Sequence, residues 1–385
     1  MDYELVTRAW AQPLALALAL SLPPAWLASA NLAVAAPAVR AVTVAEGVEM
    51  GWGMAFLPGG GLLVTERPGR LRRVGADGAI GAPIEGLPPV VFRGQGGLLD
   101  LVLDSGFASN RTLYFCFSEP GEGGNSTALA RATLAADARR LEGVEVIFRQ
   151  SPKVNSQGHF GCRIVEARDG NLFLTLGERM SRMQDAQTLD NHHGKVVRIT
   201  KTGKVPADNP FVTRAGALPE IWSLGHRNVQ GAALDGSGRL WTHEHGPQGG
   251  DELNLTQAGR NYGWPVITYG EQYGGGKIGD GLTSSAGLEQ PVTYWKPSIA
   301  TSGLAYLSSD RYGADWKGDL FVGSLKFMQV VRVPIDDTRA GAPETVIELG
   351  QRVRDLRQGP DGFLYVLTEA PKGRIVRLEP VATGG

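Results

Sequence analysis

The sequence predicts an all-β fold, a six-bladed β-propeller. Three observations carry this. A phrase of two apolar segments around a Gly/Asp turn recurs six times, 53 glycines and 23 prolines supply many tight turns, and no Ser/Pro-rich or charge-block linker divides the 385 residues. One twisted four-stranded sheet cannot bury both faces; radial stacking buries them and leaves a central channel ringed by loops, where ligands belong.

The elements follow in chain order. Residues 1–36 read as an export signal: Arg8 precedes the apolar run "PLALALALSLPPAWLASA", small residues follow, and a cut falls between residues 30 and 37. The run is short for a membrane span and is interrupted by Pro23 and Pro24, so cleavage without stable membrane insertion is expected, with a periplasmic or secreted product. Residues 37–385 then form the propeller. Its phrases are "GWGMAFLPGGGLLVTE" from Gly51, "GGLLDLVLDSGFASNRTLYFCFSE" from Gly96, "GHFGCRIVEARDGNLFLTLGE" from Gly158, "NVQGAALDGSGRLWTHEHG" from Asn228, "TSGLAYLSSDRYGADWKGDLFVGS" from Thr301 and "VRDLRQGPDGFLYVLTE" from Val353. Each is a hairpin signature, and runs such as "GRLRRVGADG", "KVVRITKTGKV" and "GRIVRLEP" supply further strands, so that a unit of about 57 residues yields about four.

A formal net charge of −1 gives no broad pull toward nucleic acid or anionic membrane, which leaves small-molecule chemistry. Cys116 and Cys162 are too few for a disulfide-built scaffold; two buried thiols and one bridge both remain open.

His159 stands where a blade strand begins, between residues that keep the backbone thin, and is a candidate general base; Glu178 ends the same hairpin and can orient it. Arg227 and Asn228 precede the fourth phrase, the arginine suited to stabilising negative charge on an oxygen. Arg352 and Arg354 share one face of a strand and repel unless an anion lies between them; with Lys326 they suit a polycarboxylate or phosphate ligand. The stretch "HEHGPQGGDELN" admits two metals. Carbonyls exposed at Pro247 and carboxylates suit calcium, whereas His243 and His245 with Asp251 or Glu252 suit zinc.

These residues, in this order, resemble the soluble quinoprotein sugar dehydrogenases, which use pyrroloquinoline quinone (PQQ) and calcium on a six-bladed propeller. "GQGGLLDLVLD", "GHFGCRIV", "GHRNVQG", "EHGPQGGDELNL", "GRNYGWP", "SLKF" and "RVRD" span nearly all of residues 37–385. The resemblance implies that His159 removes the proton from the C1 hydroxyl of an aldose while hydride passes to the quinone. It implies that Arg227 polarises the quinone oxygen, that Asn228 and Gln95 lie near cofactor and substrate, and that Lys326, Arg352 and Arg354 hold the PQQ carboxylates. The carbonyls of Gly246 and Pro247 would bind the catalytic calcium, and Glu252 and Tyr262 a second, structural one. Electrons would leave to an external acceptor. Two departures stand out: Glu178 replaces an aspartate, and Gly158 an acidic residue, of the glucose-specific relatives, which favours broad aldose oxidation. No strand–GxGxxG–helix fingerprint points to a nicotinamide enzyme. A calcium-dependent lactonase or other hydrolase, with His159 activating water, is the alternative on this fold.

Overall fold

A computed structural model describes residues 38–381, so the expected export signal over 1–36 lies outside the described residues. Six four-stranded antiparallel sheets form the blades of a propeller, joined by one extra two-stranded hairpin, Ile335–Asp336 with Arg339–Ala340. Each of the six sequence phrases forms the first two strands of a blade. The innermost strands are Gly51–Phe56, Leu98–Leu103, Gly161–Glu166, Val229–Leu234, Thr301–Tyr306 and Arg352–Gln358. Their partners are Leu62–Glu66, Thr112–Gly121, Leu172–Leu176, Leu240–Glu244, Leu320–Ser324 and Leu364–Glu369. The ring is closed by strand Val39–Val48, which pairs with Gly373–Pro380 and so completes the last blade from the start of the described chain.

The apolar core lies between blades rather than within one centre. Leu63 and Leu71 of the first blade pack with Leu101, Phe115 and Ala130 of the second, and Trp241 and Leu253 of the fourth with Leu304 and Val322 of the fifth. Second strands such as Leu62–Glu66 and Leu172–Leu176 are buried at every position because a neighbour covers each face, so they read as continuous apolar runs rather than alternations.

In all six blades the register between the first two strands shifts near the start of the innermost one, as between Gly51 and Met54 and between Gly161 and Ile164. Such bulges bend a strand and re-aim its side chains. The amides freed there find local partners: Gly53 N–H donates to Thr65 Oγ1 (2.9 Å) and Arg163 N–H to Thr175 Oγ1 (2.9 Å). Below the bulges, buried ion pairs link innermost strands of different blades. Arg163 meets Asp100 (3.1 Å) and Asp355 (2.8 Å), and Arg357 meets the same two carboxylates, all four side chains belonging to innermost strands.

Cys116 and Cys162 form a disulfide, which settles the open choice between thiols and a bridge. It joins the second strand of the second blade to the innermost strand of the third, three residues beyond His159. No helix among the described residues is long and apolar enough to cross a membrane.

Candidate active site

Because neighbouring strands are antiparallel, the start of every innermost strand and the end of its partner lie at one end of the propeller. His159, Asn228 and Arg352 occupy strand starts; Arg67, Glu178, Gly246, Lys326 and Glu369 occupy partner ends or the residues just beyond. A cavity of about 260 Å³ opens there, lined by Trp52, Leu99 and Phe160 on its apolar side and by Gln95, Gln230, Arg354 and others on its polar side.

His159 adjoins this cavity, since Phe160, next in sequence, and Gln95, which accepts its N–H, both line it. The histidine is buried, with φ +52°, a left-handed conformation that the glycine-rich turn around it supports, and its N–H donates to Gln95 Oε1 (2.8 Å). Its Nδ1 lies 2.8 Å from Oε1 of the buried Glu178, which leaves Nε2 as the nitrogen able to take a proton. Burial lowers the His159 pKa; Glu178 pushes it back up, and the nearby charge of Arg227 lowers it again. The net direction is downward, which favours the neutral imidazole. Glu178 N–H in turn donates to Arg227 C=O (2.9 Å), tying the third blade to the fourth.

Arg227 donates through Nη1 to the carbonyls of Gly246 (2.9 Å) and His245 (3.1 Å) and packs over Trp264. Asn228 Oδ1 accepts from Gly161 N–H and Gln230 Nε2, both at 3.1 Å. Several buried polar atoms around the cavity lack partners: Arg227 Nε, Asn228 Nδ2, Glu178 Oε2 and Arg67 Nε. These groups are available to a ligand.

The expected anion between Arg352 and Arg354 is present as a side chain, Glu369. Arg354 binds it through Nε (3.0 Å), Arg352 lies 3.5 Å away, and Arg67 meets its other oxygen at 2.9 Å. Burial works upward on the Glu369 carboxyl, yet Arg354, then Arg352 and Arg67, hold it down at about 2. Three guanidiniums on one carboxylate leave two positive charges in excess at the cavity wall. Lys326 stands apart: it is exposed, lies over the Phe327 ring, and faces a neighbouring recess of about 460 Å³ shared with Pro247 and Gln248.

His243 and His245 are spent on scaffolding. Their Nε2 atoms reach the carbonyls of Gly303 (3.3 Å) and Thr301 (2.6 Å) in the next blade, and burial holds His243 down at about 3 and His245 well below its usual value. Among the described residues no three His, Cys, Asp or Glu side chains are placed to hold one metal ion. The turn beyond them is tight: a Cβ on Gly246 would collide with the carbonyls of Gly249 and Gly250. Pro247 C=O accepts no hydrogen bond among the described residues. Gly246 C=O receives Arg227 but keeps a second lone pair. Further out, Glu244 and Glu252 sit opposite one another across paired strands, with Asn254 Nδ2 3.4 Å from a carboxylate oxygen of each. Burial, then the charge of Glu244, raises the Glu252 pKa well above the usual carboxylate range. The Tyr262 hydroxyl is fully used, donating to Leu255 C=O and accepting from Gln257 N–H, and its ring stacks on His226; only its backbone carbonyl is left to serve as a ligand.

With this geometry in view, residues 48–377 match the family model described as "Glucose / Sorbosone dehydrogenase". The chain belongs to that family. It is an oxidoreductase of the sugar dehydrogenase type. It is 44% identical over 352 residues to the aldose sugar dehydrogenase YliI of Escherichia coli (strain K12), covering 90% of this chain and 94% of the relative. The solved apo-form of the soluble aldose sugar dehydrogenase of Escherichia coli superposes with a TM-score of 0.86 at 42% identity, covering 89% and 100% of the two chains. The PQQ-bound aldose sugar dehydrogenase of Streptomyces coelicolor has a TM-score of 0.74 at 30% identity, covering 89% and 98%.

Six residues of the site escaped the sequence reading: Trp52, Arg67, Leu99, Phe160, Gln230 and Glu369. A signal for two of them existed. Phrases one, two, three, four and six each reach a glutamate near the end of the second strand, at Glu66, Glu119, Glu178, Glu244 and Glu369, so Glu369 occupies the place in its blade that Glu178 occupies beside His159, and Arg67 directly follows Glu66.

Proposed function

We propose that this chain oxidises aldoses at C1 to the lactone with PQQ and calcium and passes the electrons to an external acceptor. The observation that carries the reading is the His159–Glu178 pair beside a cavity whose wall holds an excess of arginine charge. The residues present fit a planar polyanion: Trp52, Leu99 and Phe160 offer apolar surface, Arg354 and Arg352 offer charge, and the unpartnered Asn228 Nδ2 and Arg227 Nε offer donors. When bound, PQQ supplies a quinone able to accept hydride.

The protein's own groups do the rest. An aldose losing hydride from C1 must also lose its hydroxyl proton, and His159 Nε2 takes it. Glu178 stabilises the imidazolium that results and fixes the tautomer. Arg227 stabilises negative charge developing on an oxygen. Lys326, outside the main cavity, would reach only the end of a ligand extending past Leu325. Calcium would be held by the carbonyls of Pro247 and Gly246, and a second ion by Glu252 and the Tyr262 carbonyl. A Cβ at Gly158 would collide with the Met180 side chain, so no side chain projects from the residue before His159, which suits tolerance of several aldoses. An export signal in residues 1–36 would place the enzyme in the periplasm or outside the cell.

The test is reconstitution of the purified protein with PQQ and calcium, followed by aldose-dependent dye reduction and identification of the product, with a chelated control. Activity requiring both additions and yielding lactone is the expected result. Lactone hydrolysis without PQQ, and no dye reduction across a panel of aldoses, would overturn the reading in favour of the hydrolase.

A further inference from the structure

We propose that Arg67 is a positioning residue that ties the cationic wall of the cavity to the loop presenting Gln95 beside His159. The inference rests on the quinoprotein reading above.

Arg67 directly follows strand Leu62–Glu66 and is buried at the cavity wall. Its guanidinium faces in three directions. Nη1 binds Glu369 Oε1 (2.9 Å), and Nη2 donates to the carbonyls of Gly94 and Gly96, the latter at 3.0 Å. Its backbone carbonyl accepts from Leu98 N–H (3.0 Å), and Gly97, at φ +145°, lies so close to that carbonyl that a Cβ there would collide with it. One side chain therefore holds the Gly94–Gln95 peptide and, one residue further on, the Gly96–Gly97 peptide. Gln95 N–H is held by Gln157 C=O (2.7 Å), and its Oε1 accepts from His159 N–H. Gln95 Oε1 is thus oriented by one bond, and the Gln95 amide nitrogen is free to donate to a ligand.

The same guanidinium thus touches the carboxylate that organises Arg354 and the loop that supports the base. A lysine would keep the charge but could not span a carboxylate and two carbonyls in one plane. Displacements of about 1 Å at a reacting centre cost up to about 100-fold in rate. Towards the base Arg67 acts through Gln95, as a positioning residue; its own charge belongs to the cavity wall, and lysine keeps that charge.

The experiment compares wild type, Arg67→Lys, Gln95→Ala and the double variant, each checked by thermal melting. PQQ affinity is read from quenching of tryptophan fluorescence, Trp52 lying in the cavity, and kcat and KM from glucose oxidation with PQQ and calcium. Arg67→Lys is expected to hold the PQQ dissociation constant within about threefold while kcat/KM falls about 30-fold, and the double variant to be no worse than the poorer single one. If lysine is not accommodated, Arg67→Met carries the same cycle, with weaker PQQ binding added. An Arg67→Lys enzyme within about threefold of wild-type kcat/KM, or losses that multiply in the double variant, would overturn the inference. Failure of wild type to bind PQQ would instead overturn the functional reading.

Discussion

Replacing Glu178 by Gln isolates the charge behind the base. The carboxylate lies 2.8 Å from His159 Nδ1, and both side chains are buried. Unit charges about 4 Å apart, centre to centre, interact by about 4 kcal/mol at an effective dielectric of about 20. Glutamine keeps a neutral hydrogen bond worth about 1 kcal/mol, so about 3 kcal/mol of stabilisation is lost from the imidazolium that forms as the hydroxyl proton is taken. That predicts a fall in kcat of roughly 100-fold at pH 7. The pH profile must change as well. On the proposed role of His159 as base, burial holds its pKa below the usual histidine value, and activity is expected to fall as pH drops through that lowered pKa. Burial lowers this pKa and Glu178 raises it, so removing the Glu178 charge moves the acid limb to still lower pH. The assay is dye-coupled glucose oxidation from pH 4 to 8, with PQQ affinity and melting temperature as controls. A variant within threefold of wild-type kcat, or an acid limb that moves upward, would show that Glu178 is not the partner of the working base.

Three further outcomes are expected. Replacing Cys116 and Cys162 together by Ala opens a loop of sequence separation 46, for which the chain-entropy estimate is about 4 kcal/mol; with an unfolding entropy of about 0.7 kcal/mol/K for a domain of this size, melting falls by about 6 °C. Thiol titration of the denatured wild type should find no free thiol, and a full count of two would contradict the bridge. Millimolar calcium should raise the melting temperature of chelator-treated protein, by about 2.7 kcal/mol of stabilisation at 100 times the dissociation constant, and Glu252→Gln should remove a distinct part of that gain; an unchanged calcium response in the variant would remove Glu252 from the ligand set. Val48→Asp places an unpaired carboxylate at a fully buried position of the closing strand and should cost about 3 kcal/mol, read by denaturant unfolding, whereas a loss below about 0.5 kcal/mol would mean that the strand contributes little to closure.

The blades were legible because a repeated hairpin leaves a repeated pattern, and its six copies coincide with the first two strands of all six sheets. The closing strand was not. "VRAVTVAEGV" resembles no phrase, because it is the outer strand of the last blade carried at the other end of the sequence, and its partner Gly373–Pro380 is more than 320 residues away. Pairing at that distance is set by topology, which leaves no local mark. The bond between Cys116 and Cys162 has the same origin, since the two strands belong to different blades.

The site divides along a similar line. His159 and Glu178 could be paired from sequence because they open and close one hairpin, a local relation. Arg354 and Arg352 could be read as needing an anion because alternation places them on one face. The identity of that anion depended on which chain ends meet across the cavity. Glu369 is in the same blade as the two arginines, but it is also held by Arg67, which comes from the first blade and carries the Gln95 loop with it. Closure of the ring brings these ends together, so the sixth-blade cations and the first-blade loop form one unit only in the folded molecule. Sequence motifs therefore name the candidate groups, while the contacts that join the cationic wall to the Gln95 loop arise where the last blade meets the first.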